Sequence, residues 1–378
     1  MFMNFWYPAL KTDELGSEPK LVRMLGLNFV VFRDAKGEAH CLSNVCVHRG
    51  GNLAGGKRKG DCIECPYHGW QFNGEGAVTR IPSLGLQAKI PSRAKIDAYP
   101  TVERYGLVHV FLGDLPQEER PPIMEIPEYG QEGWRATIQH WNFNFDYKRS
   151  IENGIDAAHN EFVHPTHGFS GSREDYKLEK REPVVTEWGT GIWGRRLAPP
   201  LPDRKMREAS GRNEDGIIEG GTGHNGANAV WTLIHPSQSM SIHQYLYEAP
   251  IDEEHTSVYL INLRNFMIEP EHDARMMERN QYVAFQDREV LEAVRPVVTP
   301  RTNTKEVFVV GDEPIARYRN FLKDWEARGW RIDTEKVAAS HGRVAYAIPS
   351  PARRSSKGWT VDAVPLVSGK AAMKAAAE

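Results

Sequence analysis

Cys46-Val47-His48-Arg49-Gly50 and Cys65-Pro66-Tyr67-His68-Gly69-Trp70 decide how the first third of this chain is read. Each stretch is a short turn offering one thiol and one imidazole, and sixteen residues separate His48 from Cys65. Two sulfur and two nitrogen donors suit tetrahedral zinc, or a [2Fe–2S] cluster in which two histidines replace two cysteines on one iron. A four-cysteine zinc site competes, with Cys41-x4-Cys46 and Cys62-x2-Cys65 as its halves. Cys41, Cys46, Cys62 and Cys65 are the only cysteines and lie within 25 residues of one another, which argues for metal over a disulfide framework.

Strand patterns surround the two turns. LGLNFVVFRD (25–34), AKGE and AHCLS read as a hairpin. WQFNGEGAVTRI (70–81) reads as another, with Asn73-Gly74-Glu75-Gly76 as its turn, and YGLVHVFLGD (105–114) as a further strand. A proline-rich stretch, LPQEERPPIMEIPEYG (115–130), marks a domain boundary. With Phe5-Trp6-Tyr7-Pro8 at the start and Asn28 to Arg33 in the first hairpin, the segment up to about Gly113 resembles a Rieske domain. The resemblance implies that Cys46 and Cys65 hold one iron and His48 and His68 the other. Cys41 and Cys62 match no ligand position and read as small buried residues.

A Rieske domain alone carries electrons, so the remainder must hold their acceptor. Ile151-Glu152-Asn153-Gly154-Ile155-Asp156-Ala157-Ala158-His159-Asn160-Glu161-Phe162-Val163-His164 is the informative segment. Its periodicity predicts a helix over about 148–163, with Ile151, Ile155, Ala158 and Phe162 facing a core and Glu152, Asp156 and His159 forming a polar stripe. His164 precedes Pro165, so the helix ends there and His164 can turn back beside His159. A second helix is predicted over about 273–294, placing Asp287 on one face with Val283, Val290, Leu291 and Val294. A carboxylate on an apolar stripe needs a metal or a cation, and Arg275, Arg279 or Arg295 is the plain alternative. Two histidines and one carboxylate form the facial triad of non-haem Fe(II) oxygenases.

At this point the resemblance extends over nearly the whole chain, to the catalytic α-subunit of Rieske non-haem iron oxygenases. It implies an α+β fold: an antiparallel β Rieske domain (1–115), then a helix-grip-like catalytic domain (116–351) with an antiparallel sheet flanked by helices; the Ser-, Lys- and Ala-rich composition from Ala352 predicts a flexible tail (352–378). It implies His159, His164 and Asp287 as ligands of a mononuclear Fe(II), Asp156 as the bridge between cluster and iron, and Asn153 near the iron. Arg149 and Glu152 gain no role. It further implies O2 as cosubstrate, NAD(P)H acting through a separate ferredoxin or flavin reductase, a small organic, ring-containing substrate, and a homotrimer. Hydroxylation or oxidative N- or O-dealkylation is favoured over cis-dihydroxylation. The readings from other classes are an electron-transfer protein without catalysis and a zinc-ribbon binding protein.

Residues 210–227 are glycine-rich and read as a mobile loop containing His224; Gly221-x-Gly223-x-x-Gly226 matches a nucleotide motif, but no clear strand precedes it and the residues after it read as a strand rather than a helix. His167 competes with His164 but reads as loop. His235, His243, Trp231 and Tyr245 lie in predicted strands and could line a pocket. A third helix is predicted over about 314–328, with Ile315, Tyr318, Leu322 and Trp325 on its apolar face. A net charge of −3 gives no reason to expect nucleic acid, and no apolar run is long enough for a membrane span. The opening residues do not resemble a signal peptide, and a cytoplasmic location is expected.

Overall fold

The computed structural model describes residues 1–178, 181–200, 204–210 and 215–368. Its contacts divide the chain into two units. One comprises residues 1–123, 249–252 and the chain from Trp325 onward; the other comprises 124–248 and 253–324.

The first unit is built of antiparallel strands. Lys20–Met24, Leu27–Arg33, Ala39–Ser43 and Ala98–Tyr99 form one sheet, and Lys57–Lys59, Cys62–Glu64, Gln71–Asn73 and Val78–Arg80 form another. The run Phe29-Val30-Val31-Phe32 is fully buried, as β-branched and aromatic residues covered on both faces would be. Val30 and Phe32 share a core with Ile63, Phe72, Cys46 and Cys65, so the two cysteines stand on the edge of a packed interior.

The later chain closes this unit. Trp325 packs edge-on against Phe5 at 4.7 Å between ring centroids, and Tyr99 Oη donates to the Ile348 carbonyl at 2.8 Å. The Arg353 guanidinium donates through Nε and Nη2 to the two oxygens of buried Asp97, each at 2.7 Å. The expected partition therefore differs here. Residues 325–351 pack with the first unit, and the expected loose tail from Ala352 is ordered as far as Ser368, because a buried Asp97 carboxylate requires a cation and Arg353 supplies it. Residues 369–378 lie outside the described residues.

In the second unit a seven-stranded sheet runs, in spatial order, Arg135–Phe143, Thr256–Arg264, Ile242–Pro250, Ala229–His235, Gly216–Asn225, Thr190–Ala198 and Glu182–Val185. The strands from 182 to 250 form an antiparallel meander. Among the described residues, the α-helices that accompany the sheet are α1 (Tyr147–Ile155), α2 (His159–Val163), α3 (Arg204–Ser210), α4 (Asp273–Ala293) and α5 (Glu313–Ala327).

Two expectations are corrected. The glycine-rich stretch is not a loop from Gly216 on; Gly216–Asn225 is a strand inside the sheet, and residues 211–214 lie outside the described residues. Its glycines serve close approach rather than mobility: a Cβ on Gly223 would meet the Trp231 ring at 2.4 Å. The helix predicted over 148–163 is two helices, α1 and α2, broken at Asp156. Asp156 ends α1 in an extended conformation, while its carboxylate accepts from the backbone N–H of Ala158 at 2.7 Å and of His159 at 3.2 Å. A short acid offering itself to nearby N–H groups competes with the helix ladder, and the amphipathic period conceals that. Ile151 and Ile155 are buried as expected, whereas Phe162, past the break, is 61% exposed.

Candidate metal centres and active-site cavity

The two cysteine–histidine turns are copies of one another. Gly50 N–H donates to the Cys46 carbonyl at 2.8 Å, and Gly69 N–H to the Cys65 carbonyl at 2.9 Å. Cys46 N–H donates to Gly51, and Cys65 N–H to Trp70. Gly50 and Gly69 have φ of 70° and 69°, a left-handed bend that glycine adopts without penalty. The turns bring His48 and His68 together, their Nδ1 atoms 3.1 Å apart, with Trp70 stacked on His48 at 4.6 Å.

Cys46 and Cys65 are both buried. Burial, then the charge of Cys65 alongside, pushes the Cys46 thiol up to about 12. Holding Cys46 as the thiolate that binds metal therefore calls for a cation beside it. A Cβ on Gly51 would stand 2.8 Å from Cys65 Sγ and 3.6 Å from Cys46 Cβ, so this glycine keeps open a cradle beside the sulfurs. Two imidazoles on one side and two thiols over a glycine cradle fit a two-iron cluster. Cys41 is fully buried in its strand, and Cys62 Sγ lies 3.3 Å from Thr79 Oγ1.

The second constellation is assembled from α1, α2 and α4. His159 opens α2, His164 follows it with the extended backbone that Pro165 favours, and Asp287 comes from α4. One ligand-type atom from each of the three residues lies within 4.8 Å of the others. Asp287 Oδ1 is 3.2 Å from His164 Nε2 and 3.8 Å from His159 Nε2, and it accepts from Asn153 Nδ2 at 3.0 Å. His164 Nδ1 donates to Gln286 Oε1 at 2.9 Å, and His159 Nδ1 lies 3.6 Å from Asp156 Oδ2. Both rings therefore turn Nε2 toward Asp287 with Nδ1 facing an acceptor, the arrangement by which outer partners orient metal-binding histidines. This donor set fits a divalent iron with open positions.

Asp287 faces Asn153 and the histidines rather than an arginine; Arg295 donates to backbone carbonyls, and Arg279 Nη2 lies 3.5 Å from His167 Nε2. Burial, then Arg279, holds the His167 ring well below the ordinary imidazole range, and that ring packs 4.9 Å from His164. Burial draws the His164 ring down, but the Asp287 carboxylate outweighs it and leaves the ring above its usual value. Val290, expected on the face of Asp287, is 43% exposed; the face that lines the cavity carries Asn280, Val283, Ala284, Asp287 and Leu291.

These residues border a cavity of about 180 Å3 in the second unit, with Trp141, Phe143, Leu246, Val258 and Leu260 among its apolar lining. Glu152 and Arg149, without a role at the sequence level, brace α1. Arg319 pairs with Glu152 through two bonds of 2.7 and 2.8 Å and with Glu306 at 2.6 Å, and Glu306 also takes Arg149 at 2.7 Å. Trp231 and Tyr245 do not line the cavity: Trp231 covers Gly223, and Tyr245 Oη donates to Glu128. His243 also bonds Glu128, at 2.8 Å, and His235 meets His243 at 3.2 Å. His224 is buried in its strand, and that burial lowers its ring to about 4. Gln286, Asn280 and Gly51 escaped the sequence reading, since a lone amide or glycine carries no pattern; only adjacency to Asp287 hints at Gln286.

Fold and sites together define a chain with a Rieske [2Fe–2S] domain and an oxygenase-type C-terminal domain. The Rieske [2Fe–2S] domain family matches residues 5–94, and the vanillate O-demethylase oxygenase C-terminal domain family matches residues 143–328. The chain belongs to the Rieske non-haem iron oxygenases, whose Rieske domain carries a [2Fe–2S] cluster and whose catalytic domain carries iron.

Among its relatives, the cholesterol 7-desaturase nvd 1 of Ciona intestinalis is 37% identical over 177 residues, 46% of this chain and 37% of that protein. The toluene-4-sulfonate monooxygenase system iron-sulfur subunit TsaM1 of Comamonas testosteroni is 34% identical over 164 residues, 43% of this chain and 46% of that one. The chain thus spans less than half the length of each of these two relatives. Among solved structures, the NdmA QL mutant of Pseudomonas putida CBB5 with caffeine shares the fold, with a TM-score of 0.72, 24% identity, and coverage of 86% of this chain and 91% of that one.

Proposed function

We propose that this chain is the oxygenase component of a multicomponent system that hydroxylates, or oxidatively N- or O-dealkylates, an organic ring-containing substrate. His159, His164 and Asp287 would hold the mononuclear iron; Cys46, Cys65, His48 and His68 would hold the cluster. The observation that carries this reading is the meeting of His159, His164 and Asp287 at the wall of a largely apolar cavity. Bound iron supplies the activation of O2, with electrons that originate in NAD(P)H and arrive through a separate ferredoxin or flavin reductase.

The chain's own residues have distinct tasks. Gln286 fixes the plane of the His164 imidazole, Asp156 stands 3.6 Å from His159 Nδ1, and Asn153 steers one carboxylate oxygen of Asp287. The aromatic and aliphatic walls exclude water and hold the substrate. Asp156 is the bridging group toward a cluster on a neighbouring copy, in a closed ring of three subunits. Among the described residues no helix is long and apolar enough to cross a membrane, and a cytoplasmic setting is part of the proposal.

Iron and acid-labile sulfide per chain, measured on anaerobically purified protein, test the reading. About three irons and two sulfides are expected, from one Rieske cluster plus one mononuclear iron. Asp287→Ala should lose one iron and keep the red-brown colour. Asp156→Asn should keep all the iron while turnover with a supplied reductase falls by roughly a hundredfold, on the scale of other outer-partner losses. Zinc without sulfide, full iron in Asp287→Ala, or full turnover in Asp156→Asn would overturn the corresponding part.

A further inference from the structure

Glu128, His235 and His243 form a chain of polar side chains that the cavity does not use. His235 ends the strand Ala229–His235, and His243 stands second in the next strand, Ile242–Pro250, with residues 236–241 between the two strands. The register partner of His243 is Leu233, so His235 is its diagonal neighbour on the same face of the sheet.

Glu128 fixes the chemistry of His243. Its Oε1 lies 2.8 Å from His243 Nδ1, and its Oε2 accepts from Tyr245 Oη at 2.9 Å. Burial raises the Glu128 carboxyl, but the bonds to His243 and Tyr245 outweigh it and hold the group below its ordinary range. An ionised carboxylate only accepts, so His243 Nδ1 carries its proton and the neutral ring presents a lone pair at Nε2. His235 Nε2 lies 3.2 Å from that atom, and His235 makes no other hydrogen bond among the described residues. Burial, then the nearness of His243, draws the His235 ring below its usual value, so it is neutral as well. Two nitrogen ligands of one tetrahedral zinc, each at about 2.0–2.1 Å, stand about 3.3 Å apart. The chain sets His48 Nδ1 and His68 Nδ1 at a similar 3.1 Å in the turns that fit the cluster. A carboxylate on the far nitrogen is what orients a metal-binding imidazole and raises its basicity. Glu219, the register partner of His235, places a second carboxylate near the pair.

We propose that His235 and His243 form an additional metal site, for a divalent transition metal of the zinc, nickel or copper type, with Glu128 behind His243 and water completing the coordination. Imidazole nitrogens suit these ions, whereas Mg2+ and Ca2+ seek oxygen. The bound ion would pin together the ends of two neighbouring strands. Neither histidine lines the cavity, so the site stands apart from the reading of His159, His164 and Asp287. The plain rival is a single N–H···N bond between the rings with no affinity for metal.

Calorimetric titration of the untagged, iron-loaded full chain with zinc separates the two. One zinc per chain should bind with a micromolar Kd, with no loss of iron or of acid-labile sulfide, and millimolar Mg2+ should not compete. His235→Ala and His243→Ala should each abolish this binding, and Glu128→Gln should weaken it by roughly 10- to 100-fold. X-ray absorption at the zinc edge should show two imidazoles and no sulfur. Should alanine loosen the strand ends, His235→Gln and His243→Gln repeat the comparison in samples whose circular dichroism matches wild type. No binding tighter than millimolar, equal binding by wild type and both histidine variants, zinc that displaces iron or takes sulfur ligands, or competition by Mg2+ would each overturn the site. Unchanged affinity in Glu128→Gln would overturn the part given to that carboxylate. Iron is counted in the same samples: zinc held by His235 and His243 in a chain that takes up no mononuclear iron would count against the oxygenase reading and leave this site standing.

Discussion

The Cys46–Gly51 and Cys65–Trp70 turns repeat one local geometry, whereas the His159, His164 and Asp287 constellation has no internal repeat. The first is made by short-range rules: a backbone bond four residues long, a left-handed glycine, a thiol and an imidazole two or three positions apart. Only the pairing of the two turns is long-range. The second depends on a helix break, a pre-proline residue and a carboxylate more than 120 positions away in the chain. Local repetition makes a site tolerant of its surroundings; a site gathered from separate helices inherits every displacement of those helices.

The largest expected effect separates real ligands from neighbours within the first region. Cys46→Ala should remove essentially all acid-labile sulfide and the visible absorption, whereas Cys41→Ala, whose thiol is buried elsewhere, should retain both. Bleaching by Cys41→Ala would break the comparison, since it would revive a site built from four cysteines.

A middling effect probes the second region's dependence on its support. Gln286→Leu removes the acceptor for His164 Nδ1 and frees the ring to choose the other tautomer or rotate. Iron affinity at this centre should weaken by roughly 10- to 100-fold in a chelator competition, with the cluster spectrum intact. Unchanged affinity would mean that packing alone orients His164.

The smallest effect concerns burial around the second region. Glu248 is buried behind α1, its carboxyl accepts from Ser150 Oγ at 2.7 Å, and burial pushes that carboxyl up to about 8. The unfolded chain releases this proton near the ordinary 4.5, the folded chain only near 8. The stability associated with the protonated form is therefore complete below pH 4.5 and declines as pH rises toward 8. Glu248→Gln should flatten that part of the Tm profile, and a profile unchanged by the substitution would show that water reaches the carboxylate.

Legibility in the sequence followed the same division. The paired turns and their strands could be read because every ligand-type residue sits inside a short pattern. His159 and His164 could be read from spacing and Pro165. The break at Asp156 could not, since Ile151, Ile155 and Ala158 keep a helical period through it, and only the acid's bonds to Ala158 and His159 reveal it. The glycine-rich strand is hidden for a related reason: Gly223 looks like freedom in sequence, whereas the Trp231 ring lies against it. Asn280 and Gln286 are ordinary helix residues whose meaning lies in what faces them.

The clamp of Arg353 on Asp97 bears on how the chain can be divided. The first unit takes in the opening strands, residues 249–252 and the chain from Trp325 on, so along the sequence the second unit interrupts it. A fragment ending near residue 115 would strip the first unit of Trp325 beside Phe5 and leave the buried Asp97 carboxylate without its cation. A first unit that stands alone would have to keep, with the amino-terminal strands, both residues 325–368 and residues 249–252, to which Leu25 and Gly26 donate.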